Sequence, residues 1–113
     1  MTVSHGCLRL LGAFAFFTLT LGFAAQANAS EDEKKLGREL FTERASPPCA
    51  ICHTLADAQS DGTIGPDLDQ LKPDHTRVMA VIRSGMGAMP AYEALSGDEV
   101  DALATYVSTA TSN

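Results

Sequence analysis

The pattern Cys-Ala-Ile-Cys-His at residues 49–53 constrains this chain more than any other feature of its sequence. Two cysteines that are separated by two residues and followed directly by a histidine form the attachment pattern of a c-type haem. In that interpretation the sulfurs of Cys49 and Cys52 form thioether bonds to the haem vinyl groups, and the imidazole of His53 meets the iron from one face. The rest of the chain is then expected to wrap around the haem.

Cysteine pairs with this spacing also occur in zinc sites and in thioredoxin-like redox centres. A zinc site normally takes four protein ligands, and beyond residue 29 the chain offers one closely spaced cysteine pair with two histidines, His53 and His75. A thioredoxin-like centre needs a strand before the pattern and a helix after it, whereas residues 47–48 are prolines and a loop rich in Gly and Asp follows. The sequence therefore favours haem attachment over zinc or a redox dithiol.

Residues 1–29 have the composition of a signal peptide. Arg9 gives a weakly positive start, and residues 10–23 form a charge-free run of 14 mainly apolar and small residues. This run is shorter than the roughly 20 residues that span a bilayer. Ala-Asn-Ala at 27–29 is a small-x-small cleavage pattern, so we expect cleavage after Ala29, export to the periplasm and no stable membrane span afterwards. An uncleaved membrane anchor is the alternative.

Size and charge narrow the function further. Residues 30–113 would form one small domain, and a chain of that length buries little core by itself, so a haem would supply missing apolar surface. The net charge of the full chain is −6 and becomes −7 when Arg9 is removed with the leader. This charge disfavours nucleic acid and anionic membranes as partners and is compatible with docking on a basic protein face. An ordinary solubilising surface explains it equally well.

The segment Gly-Met-Gly-Ala-Met-Pro-Ala-Tyr at residues 85–92 is the second chemical motif. A methionine sulfur is a soft, neutral ligand for an iron that is bound by histidine on the other side. Met89 is preferred over Met86 because Met89 directly precedes the stiffening Pro90. The alternative is that both methionines are packing residues.

Three helices are predicted, and a long loop separates the first from the second. Residues 31–43 are rich in helix formers, and Gly37 in their apolar face allows close approach of another helix. Residues 54–72 lack a hydrophobic period and are expected to form the loop. The second helix starts at a cap on Asp74 and ends at Gly85. The third runs over about residues 98–108 after a capping box at its start, and residues 109–113 are expected to fray.

With these features the chain resembles the small single-haem class I cytochromes c of bacteria. The resemblance covers nearly all of residues 30–113. It rests on Gly37 and Phe41, the haem pattern, Gly-Pro-Asp-Leu at 65–68, the Met-Pro motif, and Tyr106 in the last helix. It implies an all-α cytochrome c fold, with about three helices and a long loop wrapped around one covalent haem, and with the terminal helices packed across each other.

The resemblance also implies roles for individual residues. Cys49 and Cys52 would attach haem c, His53 and Met89 would be the axial ligands of its iron, and the backbone carbonyl of Pro66 would accept a hydrogen bond from the other ring nitrogen of His53. Such a bond would fix the imidazole and raise its donor strength. With both axial positions held, the iron changes oxidation state without binding a substrate, as expected of an electron carrier rather than an enzyme.

The implied partners are other redox proteins. Some exported relatives act as electron acceptors of periplasmic dehydrogenases, including molybdenum-containing sulfite dehydrogenases, and a terminal oxidase or another cytochrome would take the electron onward. Two alternatives remain open at this stage. One is a haem enzyme or gas-binding haem domain with a labile sixth ligand, and the other is a permanent haem subunit of a larger oxidoreductase.

Overall fold

The fold is built from helices and one very short hairpin. The computed structural model describes residues 21–112. In chain order the elements are α1 (Leu21–Glu39), a π-helical turn (Leu40–Arg44), a 3₁₀ turn (Cys49–Ile51), β1 (Thr54–Leu55), β2 (Ser60–Asp61), α2 (Leu68–Leu71), α3 (His75–Ser84) and α4 (Gly97–Ala110). Each strand has only two residues, so the predicted all-α class is confirmed.

The first predicted helix is present and extends further toward the N-terminus than expected. Within the described residues it already runs from Leu21 rather than from Glu31, so the predicted cleavage point after Ala29 lies within α1. The rest of the predicted leader lies outside the described residues, and its removal stays a prediction. At the other end, the N–H of Ala45 donates to the carbonyl of Leu40 over 3.1 Å, which closes a wider π-type turn before the chain becomes extended.

Helix α1 crosses α4 at Gly37. A Cβ on Gly37 would lie 2.5 Å from the Cβ of Tyr106 and would also collide with the carbonyl oxygen of Ala102, so the two backbones meet closely only because this residue has no side chain. The rings of Phe41 and Tyr106 pack edge to face beside it, with centroids 6.0 Å apart and planes at 64°. The predicted packing of the terminal helices across each other is confirmed.

A group of three polar residues connects this crossing to the hairpin of β1 and β2. The hydroxyl of Tyr106 donates to Oδ2 of Asp57 over 2.6 Å, and a guanidinium nitrogen of Arg38 donates to the backbone carbonyl of Asp57 over 3.1 Å. Burial, followed by the hydrogen bond to Asp57, raises the pKa of the Tyr106 phenol, so it remains a donor. Sequence analysis missed this group because its three residues come from separate segments.

The segment 54–72 is not the structureless loop that was predicted. Strands β1 and β2 pair antiparallel with Thr54 opposite Asp61, and one helical turn, α2, follows. Side chains hold this segment: Asp69 accepts from the N–H of Ala56 over 2.7 Å, and Asp67 caps α2 by accepting from the N–H of Gln70. Bonds of this kind leave no hydrophobic period, which is why the pattern analysis did not detect them.

The ends of α3 and the start of α4 follow the predicted capping chemistry. Asp74 accepts from the N–H of Arg77 over 2.8 Å, and Gly85 ends α3 with a φ of +69°. Ser96 and Glu99 form the predicted capping box at the start of α4. The two helices also meet through side chains, because Nε2 of His75 lies 3.0 Å from Oδ1 of Asp101.

Helix α4 supplies the main buried face of the fold. Val100, Leu103, Ala104 and Val107 are all at most 4% exposed and form an apolar stripe along the helix. The expected fraying from residue 109 is wrong, since the helix continues to Ala110 and Thr111 is buried with its hydroxyl donating to the carbonyl of Val107. None of the helices within residues 21–112 is long and apolar enough to cross a membrane.

Candidate functional site

A cavity of about 250 Å³ opens between α3, α4 and the segment that joins them. It is lined by Phe41, Pro47, Cys49, Cys52, His53, Ile64, Gly65, Pro66, Leu68, Leu71, Pro73, Arg77, Val78, Val81, Ile82, Met86, Ala88, Met89, Pro90, Tyr92, Leu103 and Val107. Most of these side chains are apolar, and all five residues predicted to hold the haem are among them. His75 and Met79 are not among the lining residues.

His53 presents one ring nitrogen to the cavity because the other is already engaged. The 3₁₀ turn places the N–H of His53 3.0 Å from the carbonyl of Cys49, and Nδ1 of the ring lies 2.8 Å from the backbone oxygen of Pro66. A carbonyl oxygen can only accept, so Nδ1 carries the hydrogen in this arrangement and donates it. In a neutral imidazole with its hydrogen on Nδ1, Nε2 carries the lone pair that binds a metal.

Gly65 packs directly against the ring of His53. A Cβ at this position would lie 2.5 Å from Cε1 and 2.8 Å from Nδ1 of the imidazole. The N–H of Gly65 also donates to the carbonyl of Cys52 over 2.7 Å, which draws the 65–66 segment onto the haem pattern. The orientation of His53 thus depends on a glycine on one side and a carbonyl acceptor beside it.

The two cysteines lie in the cavity wall. Cys49 is 9% exposed, Cys52 is half-buried, and no disulfide joins them. Burial raises the pKa of the Cys49 thiol to about 11. A reactive redox dithiol instead lowers the pKa of its attacking cysteine to form a thiolate, so Cys49 has the opposite character.

The two methionines flank a tight turn. Met86 and Met89 exchange backbone hydrogen bonds of 3.0 and 2.9 Å across Gly87, whose φ of +58° favours glycine. Met86 is 62% exposed, whereas Met89 is half-buried and packs against the core. Both line the cavity, and Met89 is the better enclosed of the two.

Tyr92 connects the methionine segment to the haem pattern. Its hydroxyl donates to the backbone oxygen of Pro47 over 2.9 Å, and it also faces the sulfur of Cys49. Burial, together with the nearby cysteines, raises the pKa of this phenol to about 12. Sequence analysis noted Tyr92 only as part of the Met-Pro motif and did not find this contact, since 45 residues separate the bonded groups.

The residues at this site fit a covalently attached haem. Two cysteine sulfurs, one imidazole and two thioethers, those of Met86 and Met89, line one apolar cavity, and Arg77 is a cationic side chain in its wall. Within the described residues, no group of three His, Cys, Asp or Glu side chains comes together as metal ligands would. The donor set is thus the one that attachment and axial binding of a haem need.

Comparison with known proteins agrees with this chemistry. A profile of the family described as cytochrome c oxidase, cbb3-type, subunit III, matches residues 32–107. The crystal structure of the c-type cytochrome SorU from Sinorhizobium meliloti superposes with a TM-score of 0.70 at 54% sequence identity. That alignment covers 72% of this chain and 93% of SorU. Comparison with curated proteins gave no match.

The family match spans the cavity and the terminal helix crossing, and the similarity to SorU extends over nearly the whole of that protein. The chain therefore belongs to the cytochrome c family that this profile represents, and it is a small single-haem cytochrome c whose cofactor is one covalently bound c-type haem with its iron.

Proposed function

We propose that this cytochrome is a periplasmic one-electron carrier in which His53 and Met89 hold the iron from its two sides. The observation that carries the proposal is the convergence of Cys49, Cys52, His53 and Met89 on one apolar cavity, with Nδ1 of His53 already bonded to Pro66. Nε2 of His53 and the thioether of Met89, which is better enclosed than that of Met86, are then two neutral donors suited to an iron there.

The contact between His53 and Pro66 prepares the imidazole for this role. Donation from Nδ1 to a carbonyl oxygen fixes the tautomer and the plane of the ring, and it increases the electron density on Nε2. Gly65 supports the same orientation from the adjacent side. The ring therefore needs little rearrangement when the iron changes oxidation state.

The cavity wall sets the electrostatic environment of the redox centre. When bound, the haem supplies the iron that gains and loses one electron. Apolar side chains such as Leu68, Val78 and Ile82 surround the site and are at most 8% exposed, so they exclude water. A water-poor site disfavours the more highly charged oxidised state and therefore raises the reduction potential. A methionine ligand raises it further.

The haem-enzyme alternative would need a positioned acid or base on the open side of the iron. Tyr92 lines the cavity, but its hydroxyl is bonded to Pro47 and its pKa is raised to about 12. A phenol with that pKa is a poor base near neutral pH. His75 lies outside the cavity wall, paired with Asp101. These positions support electron transfer over catalysis.

Carbon monoxide binding to the reduced protein tests the ligation. The wild-type absorption spectrum is expected to stay unchanged, because Met89 occupies the sixth position. Met89→Ala is expected to bind carbon monoxide readily, whereas Met86→Ala, the matched control in the same turn, should behave as wild type. Carbon monoxide binding by the wild-type protein would contradict the proposal, and an effect of Met86→Ala alone would move the ligand to Met86.

An exposed apolar side chain in the haem pattern supports transient docking of redox partners at this surface. Ile51 is 58% exposed and is not among the residues that line the cavity. We propose a periplasmic dehydrogenase as the donor, with molybdenum-containing sulfite dehydrogenase as the first candidate. Small electron-transfer interfaces of this kind are weak and short-lived, which suits a shuttle. A permanent subunit would instead bury this surface stably.

Two measurements test the cellular part of the proposal. N-terminal sequencing of the protein recovered from the periplasm should begin at Ser30, and an intact N-terminus in the membrane fraction would contradict cleavage. Anaerobic mixing of the oxidised cytochrome with purified sulfite dehydrogenase should reduce the haem only when sulfite is added. Absence of reduction would exclude that donor. Stable co-elution of the two proteins in gel filtration would favour the permanent subunit.

A further inference from the structure

The segment that carries Met89 is attached to the rest of the fold in two different ways. Its backbone hydrogen bonds join it to α3 or to itself: the N–H of Gly85 donates to Val81, and the N–H of Tyr92 donates to Ile82 over 2.9 Å. The hydroxyl of Tyr92 instead reaches Pro47, two residues before the first haem-attaching cysteine. This second attachment connects the two chemical motifs of the chain.

The bond has the geometry of a restraint on Met89. Pro47 precedes Cys49 by two residues, and Tyr92 follows Met89 by three. The 2.9 Å contact therefore fixes the distance between the peptide that enters the haem pattern and the peptide that leaves the methionine. Displacement of the methionine from the cavity requires residues 85–92 to move outward, and such a movement stretches this bond.

We infer that the Tyr92 hydroxyl is a positioning group for the sixth ligand, which holds the Met89 segment against the haem pattern and so protects the iron from competing ligands. The inference rests on the proposed axial role of Met89. It adds Tyr92 to the residues that determine ligand exchange, although its hydroxyl binds a backbone carbonyl and not the iron. One neutral hydrogen bond of this kind changes an equilibrium by roughly 2- to 10-fold.

Tyr92→Phe isolates the hydroxyl. The ring is half-buried in the cavity wall and is kept by the substitution, while Pro47 is exposed, so water can satisfy its carbonyl when the phenol is removed. The fold is therefore expected to tolerate the change. Binding of imidazole to the oxidised protein, followed by absorption spectroscopy, measures how readily the thioether is displaced.

The chain provides a matched control in its other tyrosine. Tyr106→Phe also removes a phenolic hydrogen bond, the one to Asp57, but Tyr106 lies at the crossing of α1 and α4 and does not line the cavity. We expect Tyr92→Phe to bind imidazole roughly 2- to 10-fold more tightly than wild type. We expect Tyr106→Phe to match wild type in imidazole affinity, even where it lowers stability to denaturant.

The outcomes separate this inference from the proposed function. Equal imidazole affinity of Tyr92→Phe and wild type overturns the role of Tyr92 and leaves Met89 ligation intact. An equal gain in Tyr106→Phe also overturns it, since the cause would then be general destabilisation. A wild-type spectrum that lacks the weak red band of a thioether bound to ferric iron overturns the Met89 assignment, and the Tyr92 inference with it.

Discussion

The helix crossing and the cavity differ in how completely the protein fills them. At the crossing, Leu40, Phe41 and Val100 are each 1% exposed. Around the cavity, Ile64 is 73% exposed and Leu71 is 41% exposed, although both are large and apolar. The first region is completed by protein side chains, whereas the second is shaped to be completed by a cofactor. Part of the apolar packing of this small chain therefore depends on a group that the chain does not encode.

The two regions share a wall, so they are not independent. Phe41 packs on Tyr106 at the crossing and also lines the cavity, as do Leu103 and Val107 of α4. Loss of the cofactor is expected to weaken the packing of α1 on α4 through these residues. Substitutions at the crossing, in contrast, should change the iron ligation only weakly.

Removal of the haem attachment should have the largest effect. Cys49→Ala combined with Cys52→Ala prevents thioether formation and leaves the crossing as the sole packed core, which is marginal for a domain of this size. We expect loss of cooperative unfolding and of most helical circular dichroism, together with a negative haem stain after denaturing electrophoresis. Cooperative unfolding at the wild-type denaturant concentration would show that the cavity side does not need its cofactor.

Gly37→Val attacks the other region. Its branched side chain collides with Ala102 and Tyr106 and must push α1 away from α4. We expect a loss of about 3 kcal/mol in the free energy of unfolding, measured with denaturant, while the haem absorption bands stay those of wild type. Gly97→Ala is the control, because a Cβ there meets only Arg83 at 3.9 Å. A changed haem spectrum in Gly37→Val would mean that the crossing controls ligation after all.

Gly65→Ala, unlike Gly37→Val, should change the haem absorption bands. The added methyl group displaces the imidazole of His53, because it would lie 2.5 Å from Cε1. A loss of about 1–2 kcal/mol in unfolding free energy is expected, accompanied by shifted haem absorption bands. Lowered stability with an unchanged spectrum would indicate that the backbone moves and His53 does not.

The smallest expected effect is a pH-dependent change in stability caused by Glu99, at the start of α4. Hydrogen bonds from the N–H and hydroxyl of Ser96, aided by Arg44, hold the pKa of Glu99 below its ordinary value. A carboxyl whose folded pKa is lowered stabilises the fold above its ordinary pKa, and this contribution is lost as the pH falls through the lowered value. Glu99→Gln should therefore be less stable than wild type near neutral pH and equal to it in acid.

Denaturant unfolding at a series of pH values measures this difference. A constant gap between Glu99→Gln and wild type at all pH values would show that the ionisation of Glu99 does not contribute.

Sequence analysis succeeded where structure follows from neighbouring residues. The caps at the starts of α3 and α4 and the stop at Gly85 were predicted because each depends on residues within four positions of each other. Gly37 was predicted to be a contact point because a glycine in an apolar helix face has few other uses.

The parts that were missed depend on contacts between distant segments. The hairpin needs Asp69 to accept from Ala56, the crossing needs Tyr106 to reach Asp57, and the methionine segment needs Tyr92 to reach Pro47. No periodicity marks such pairs. The extension of α1 before residue 31 was also missed, because residues 1–29 were interpreted as a signal peptide.

The acceptor for His53 has a genetic consequence. Because Nδ1 bonds to the main chain of residue 66, no codon change at that position deletes the acceptor. Selection can therefore act on this hydrogen bond only through the path of the chain, and a saturation mutagenesis scan should find position 66 more permissive than position 65. Substitutions of residue 66 would then have little effect, although its carbonyl forms a contact that is essential to the iron.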